Sequence, residues 1–186
     1  QGSAVIETDQ SKFGGASAFL EGTASYLYVT HHAKFNFGAS DFSVEGWVYP
    51  TASSASDYRA IICHDSIGGT RGWLLFCDIT TGYLTGILWD GGTSETVSGS
   101  SNFLSDNLNT WTHVAATYNG TTANLYINAV LVATGSFTVS QTATEWLIGQ
   151  RSGGAWPFVG LVDDVIVWNR ALSYTEIATW YTPAPN

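Results

Sequence analysis

Trp111-Thr112-His113-Val114-Ala115-Ala116-Thr117-Tyr118, closed by Asn119-Gly120 and followed by Ala123-Asn124-Leu125-Tyr126-Ile127-Asn128, sets the pattern of the whole chain. It is a run of β-branched and aromatic residues, a turn signal, and a second such run. Working outward, similar runs occupy residues 16–20, 26–29, 42–49, 58–64, 73–77, 83–89, 130–135, 146–148 and 158–168. Gly14-Gly15, Gly68-Gly69, Gly91-Gly92 and Gly153-Gly154 supply further breaks. Short strands without intervening helical periodicity predict an all-β antiparallel sandwich or barrel. One segment departs from this. Ser173-Tyr174-Thr175-Glu176 has the capping-box form, and Ile177 and Trp180 then share one face, so 173–180 is expected to form a short helix.

Composition narrows the function classes. The chain has 186 residues, suited to one domain, with 45% hydrophobic residues to build a core. Charged residues are only 11%, and Ser, Thr, Gly and Asn fill the gap, giving a neutral, hydrogen-bonding surface that suits an extracellular setting. Six basic against 15 acidic residues leave a net charge of −9, which disfavours nucleic acid and anionic lipid as partners. No apolar run has the length of a membrane span, so no membrane insertion is expected. The sequence has no methionine and reads as a piece of something longer. Residues 1–3 (Gln1-Gly2-Ser3) are expected to be an expression scar, 4–182 a single domain, and 183–186 the start of a linker.

Several pieces in order resemble the laminin-G-like, concanavalin A-like jelly-roll domains. They are Phe19-Leu20-Glu21-Gly22, Phe42-Ser43-Val44-Glu45-Gly46-Trp47-Val48-Tyr49-Pro50, Trp111 to Tyr118, and the hairpin Leu125-Tyr126-Ile127-Asn128-Ala129. Gly160-Leu161-Val162-Asp163-Asp164-Val165, then Trp168-Asn169-Arg170-Ala171-Leu172-Ser173, complete the set, so the resemblance runs from about Phe13 to Tyr181. It implies a two-sheet antiparallel jelly roll used mostly for recognition, in secreted, cell-surface or virion-surface proteins. One departure stands out. Asn128-Ala129 replaces Asn-Gly, and because alanine at positive φ is costly, a turn of another type or greater length is expected.

The same fold carries β-glucanases, whose Glu-x-Asp-x-x-Glu motif puts two acids on one strand face. This chain lacks it. Asp163 and Asp164 are adjacent, so a regular strand would point them to opposite faces, and Glu45 is the lone acid of its run. No catalytic residues are expected. The resemblance implies a structural Ca²⁺ held by Asp163, the Gly22 carbonyl, and Glu7 or Asp9; the alternative is that Asp163 accepts backbone amides. Four histidines without ligand spacing and no Cys-x-x-Cys argue against zinc, and His113 is expected to pack structurally. Cys63 and Cys77 lie in a predicted hairpin, where a turn near Thr70 would set them directly opposite as a disulfide; the alternative is two buried thiols.

Eight tryptophans and nine tyrosines exceed the needs of a core this size. Sugars stack their C–H faces on such rings while Asn, Asp and Arg read their hydroxyls. Trp47, Trp111, Trp146 and Trp168 sit inside strands and are expected in the core. Trp89-Asp90, Arg151 with Trp156, and Tyr58-Arg59 flank loops and are the candidate glycan contacts; the alternative for each is loop packing. The expected function is a non-catalytic module binding a glycan or cell-surface polysaccharide. The alternatives are a structural or protein-interaction domain and, against the missing acid pair, a glycan hydrolase or lyase.

Overall fold

The computed structural model describes residues 2–23, 25–30, 32–52, 58–64, 72–90, 93–139 and 145–181. Among the described residues thirteen strands form two antiparallel sheets. In chain order they are β1 (Val5–Glu7), β2 (Ser17–Glu21), β3 (Leu27–Val29), β4 (Phe42–Pro50), β5 (Arg59–His64), β6 (Trp73–Cys77), β7 (Tyr83–Asp90), β8 (Thr93–Asn102), β9 (Thr112–Tyr118), β10 (Thr122–Ile127), β11 (Val130–Ser136), β12 (Trp146–Ile148) and β13 (Val159–Trp168). The short helix α1 (Phe103–Asp106) follows β8, and α2 (Tyr174–Tyr181) closes the described chain. The seven-stranded sheet runs β1-β2-β13-β4-β9-β10-β11 and the six-stranded sheet β3-β12-β5-β6-β7-β8. No helix among the described residues is long and apolar enough to cross a membrane.

Period-2 alternation explains how one sequence builds a core and two further faces. From β4, Phe42, Val44 and Val48 enter the layer between the sheets, meeting Trp73, Leu75 and Cys77 of β6 and Val114 and Tyr118 of β9. The opposite parity of β6, Leu74 and Phe76, joins Ala60, Cys63 and Leu147 in a separate cluster on the outer face of the six-stranded sheet. A third cluster lies on the outer face of the seven-stranded sheet, where Ile177 and Leu172 cover Ala115, Tyr126 and Ala129. Ser43 fastens that cover: its hydroxyl donates to the Arg170 carbonyl at 2.9 Å and accepts from the Leu172 amide at 2.9 Å.

The expected capping box is present. The Ser173 amide and hydroxyl both donate to Glu176 Oε2, at 2.9 and 2.8 Å, and the Glu176 amide donates back to the serine at 3.4 Å. The Asn128-Ala129 turn differs from expectation. β10 and β11 meet at Ile127 and Val130, so the loop holds two residues, both left-handed, with φ of 50° and 62°. That is the type I′ geometry, with alanine standing where glycine is favoured. Its methyl is 7% exposed within the α2 cluster, and this packing offsets the strain.

A second difference lies in β13. Asp163 pairs with Trp47 and Ile166 with Glu45, so two residues of β13 stand against one of β4. The bulge places Asp164 at φ 45° and breaks the regular alternation expected for the adjacent aspartates. Gly46 is the residue opposite; a Cβ there would come 3.1 Å from Val165.

Candidate functional site

The loop between β12 and β13 is folded back onto the start of β5 by backbone hydrogen bonds. Gly149 donates to the Ile61 carbonyl at 2.9 Å, Arg151 to Ala155 at 2.8 Å, Phe158 to Gly149 at 2.7 Å, and Ala60 to the Trp156 carbonyl at 2.8 Å. The Arg59 guanidinium adds a bond to the Pro157 carbonyl at 2.6 Å. Trp156 is carried at the end of this loop with φ 59°, a conformation that costs a bulky residue on the order of 1–3 kcal/mol. Such strain persists where surrounding contacts over-determine it.

Those contacts are aromatic. The Trp156 ring lies 4.5 Å from Tyr58 and 5.1 Å from Phe76, centroid to centroid, and the Arg151 guanidinium carbon sits 4.7 Å from the indole centroid. Trp156 and Tyr58 are half-buried, whereas Arg151 and Phe76 are buried. Three candidate residues from distant parts of the sequence, Tyr58, Arg151 and Trp156, are thus gathered on the outer face of the six-stranded sheet, whereas Arg59 pairs with Cys77 on the core-facing side and meets the loop through the Pro157 carbonyl. Phe76, the floor beneath them, is passed over by sequence reasoning. Its signal was parity, since it shares a face of β6 with Leu74 while Trp73, Leu75 and Cys77 take the core side.

The other two candidates stand apart. The backbone of Trp89 and Asp90 ends β7, paired with Ser94 and Thr93, and their side chains lie outside the described residues. So do residues 53–57, before Tyr58, and the expected linker at 183–186.

Of the four residues expected to hold calcium, Asp163 and Glu7 accept backbone amides. Asp163 Oδ2 accepts from the amides of Lys12 at 2.8 Å and Phe13 at 3.1 Å, and Oδ1 accepts from Asp164 at 2.9 Å. Glu7 Oε1 accepts from the Asp9 amide at 2.9 Å. Gly22 follows Glu21, the partner of Val159, whereas Asp163 follows Val162, the partner of Ala18. Four residues of strand separate Val159 from Asp163, about 13 Å at a rise of about 3.3 Å each. Among the described residues no three His, Cys, Asp or Glu side chains gather as a metal cluster. Through these amides Asp163 ties the N-terminal segment to β13. The neighbouring Asp164 carboxyl is raised above its ordinary value, first by burial and then by the Asp163 carboxylate.

Cys63 and Cys77 form no disulfide. Register corrects the expectation that they lie opposite: Cys77 pairs with Arg59 and Cys63 with Leu74. They also face different layers, Cys77 in the inter-sheet core and Cys63 in the outer cluster. Burial pushes the Cys77 thiol far above its ordinary value.

Comparison with known proteins agrees with this architecture. Residues 21–178 match the laminin G family described as the concanavalin A-like lectin/glucanases superfamily. The chain belongs to that superfamily. Among solved structures, this superfamily member is similar to the binding domain of Paraclostridial Mosquitocidal Protein 1, with a TM-score of 0.75 and 18% identity over 97% of this chain and 46% of the other. The binding domain of botulinum neurotoxin serotype G gives 0.71 and 18%, covering 97% and 44%. The receptor-binding domain of the botulinum neurotoxin C/D mosaic serotype gives 0.74 and 17%, covering 97% and 45%. The chain therefore spans under half the length of these toxin domains, and at such identity the likeness is one of fold. No curated protein matches the sequence.

Proposed function

We propose that this chain is a non-catalytic binding domain that takes a glycan of a cell surface on the Tyr58–Trp156 shelf of the six-stranded sheet. The observation that carries the reading is the strained Trp156, held half-exposed beside Tyr58 with the Arg151 guanidinium against its ring. Half-exposed indole and phenol faces suit the apolar C–H face of a pyranose, and the adjacent guanidinium suits its hydroxyls. The toxin domains of the same fold are titled as binding and receptor-binding domains, which fits recognition at a cell surface. A cell-surface glycan as partner fits a domain that works outside the cell.

The test is a glycan array probed with the wild-type chain and with Trp156→Ala and Tyr58→Ala, each checked for a native circular dichroism spectrum. Binding lost in both variants is expected. Silence of the folded wild type across the array would overturn the reading. It would favour a protein-interaction domain, for which the sheet edges offer exposed apolar residues: Ile6 on β1 at 72% and Val130 on β11 at 63%.

A further inference from the structure

The outer face of the seven-stranded sheet, on the other side of the molecule from Trp156, carries a polar pair that the glycan reading does not use. Glu45 and His113 project from β4 and β9 with side chains only 2% and 1% exposed. Glu45 Oε1 accepts from the Trp168 indole at 2.8 Å. Oε2 lies 3.3 Å from His113 Nε2, yet it makes no hydrogen bond among the described residues, and neither does His113 Nδ1. A buried carboxylate oxygen whose one partner is an imidazole contact at 3.3 Å, short of a formed hydrogen bond, is under-satisfied, which makes it a pointer to a missing donor.

That group has a place to sit. Glu45 and His113 line a cavity of about 200 Å³ with Phe13, Trp47, Asp164, Ile166 and Trp180. At about 30 Å³ for each water-sized group, the space holds roughly six or seven heavy atoms. The β13 bulge brings Asp164 to the rim, and α2 contributes Trp180, itself 43% exposed. The cavity is thus walled by three aromatic side chains and carries one carboxylate on the floor and one at the mouth. The walls already hold an ammonium. Lys12 Nζ lies 3.9 Å from a Trp47 ring centroid and 5.4 Å from that of Phe13.

We infer that this cavity is a binding site for a primary ammonium group on a short apolar stem, the chemistry of a lysine side chain. The N–H donors would satisfy Glu45 Oε2, the charge would meet two carboxylates against the one resident ammonium of Lys12, and the exposed Trp180 indole would take the methylenes, the Trp47 ring being already covered by Lys12 and Tyr181. A neutral alcohol of the same shape brings a donor but no charge. A sugar brings hydroxyls but no apolar stem.

The experiment is an NMR titration of the full chain, following the indole N–H of Trp180 and Trp168, with n-butylammonium, n-butanol, Nα-acetyl-lysine-N-methylamide and glucosamine as probes. Saturable shifts with the two alkylammonium probes are expected, with n-butanol weaker by about tenfold or more. Glu45→Gln is expected to lose at least about tenfold in affinity, and Trp156→Ala to lose none. Asp164→Asn, a rim change that leaves the buried pair intact, gives a second variant should Glu45→Gln fail to fold, and is expected to weaken binding. Equal binding of n-butanol, preference for glucosamine, unchanged affinity in both carboxylate variants, or no saturable shift would each overturn the assignment.

Discussion

Asp163→Ala is the substitution with the widest reach. The carboxylate accepts three backbone N–H groups, those of Lys12, Phe13 and Asp164, at 2.8, 3.1 and 2.9 Å. A hydrogen bond to a charged group contributes about 1.5–3 kcal/mol when well buried. Asp163 is half-buried, so about 1 kcal/mol each is the fitting scale, and the Ala variant is expected to lose about 3 kcal/mol in urea unfolding. For a chain of this size that corresponds to a fall in Tm of about 6–12 °C. Asp163→Asn keeps one carbonyl acceptor and is expected to fall between the two. The N-terminal segment should loosen in particular, because Phe13, anchored by its amide, packs edge-on against Trp47 at 5.9 Å. Hydrogen exchange would show this as lost protection at Lys12 and Phe13. Melting the wild type in millimolar calcium and in chelator is expected to give superimposable curves, since the carboxylate oxygens are already engaged. A loss under about 1 kcal/mol in Asp163→Ala would refute the amide-tether reasoning. So would a calcium-induced rise in wild-type Tm that this variant abolishes.

The remaining predictions concern separate parts of the fold. Intact mass with and without reductant is expected to be identical, and both thiols should resist a thiol reagent until the chain is unfolded, because Cys63 on β5 and Cys77 on β6 are buried on opposite faces of the sheet with no disulfide between them. The Glu176 carboxyl is held below its ordinary value by the Ser173 amide, then by the Ser173 hydroxyl and Arg170. A lowered folded value stabilises above the unfolded one and is lost as pH falls through the folded one, so α2 should fray only in acid. Carboxyl NMR should show Ser173→Ala returning the Glu176 titration upward. Ala129→Gly relieves a left-handed alanine, a gain of about 1 kcal/mol, but removes a buried methyl that contributes about 0.8 kcal/mol. Unfolding should show a change within about 1 kcal/mol of zero, and a loss above about 2 kcal/mol would mean the methyl packs more tightly than its cluster suggests.

Strands 73–77 and 146–148 match their sequence readings residue for residue because each is an apolar run without polar interruption, the first set between Gly72 and Asp78 and the second between Glu145 and Gly149. β8 was not legible. Thr93–Asn102 is Ser, Thr, Gly, Glu95 and Asn102 with a single aliphatic residue, Val97, and it pairs as an exposed edge strand whose stability comes from β7 rather than from its own side chains. β1 is three residues long and similarly depends on β2. The type I′ turn at Asn128-Ala129 was misjudged because local backbone cost was visible and the compensating contact with Leu172 and Ile177, more than 40 residues downstream, was not.

The candidate sites divide along the same line. Tyr58, Arg151 and Trp156 could be singled out individually, since an aromatic or a guanidinium beside a loop is readable in one dimension. Their convergence required the loop before β13 to bond back to β5, a contact spanning some 90 residues. The Glu45–His113 pair was less accessible still. Within β4 the parity separates Phe42, Val44 and Val48 from Ser43, Glu45 and Trp47, which is a visible sign that the second set faces something other than the core. What it faces depends on three further decisions: the pairing of Trp47 with His113, the bulge that turns Asp164 outward, and the seating of α2 by Ser43. Each decision is tertiary, and together they convert one sheet face into an aromatic-walled cavity around a buried carboxylate. A jelly roll that leaves both outer faces chemically distinct can present two surfaces at once. Here one is an indole shelf with a guanidinium, suited to neutral hydroxyls, and the other a carboxylate pocket suited to a cation.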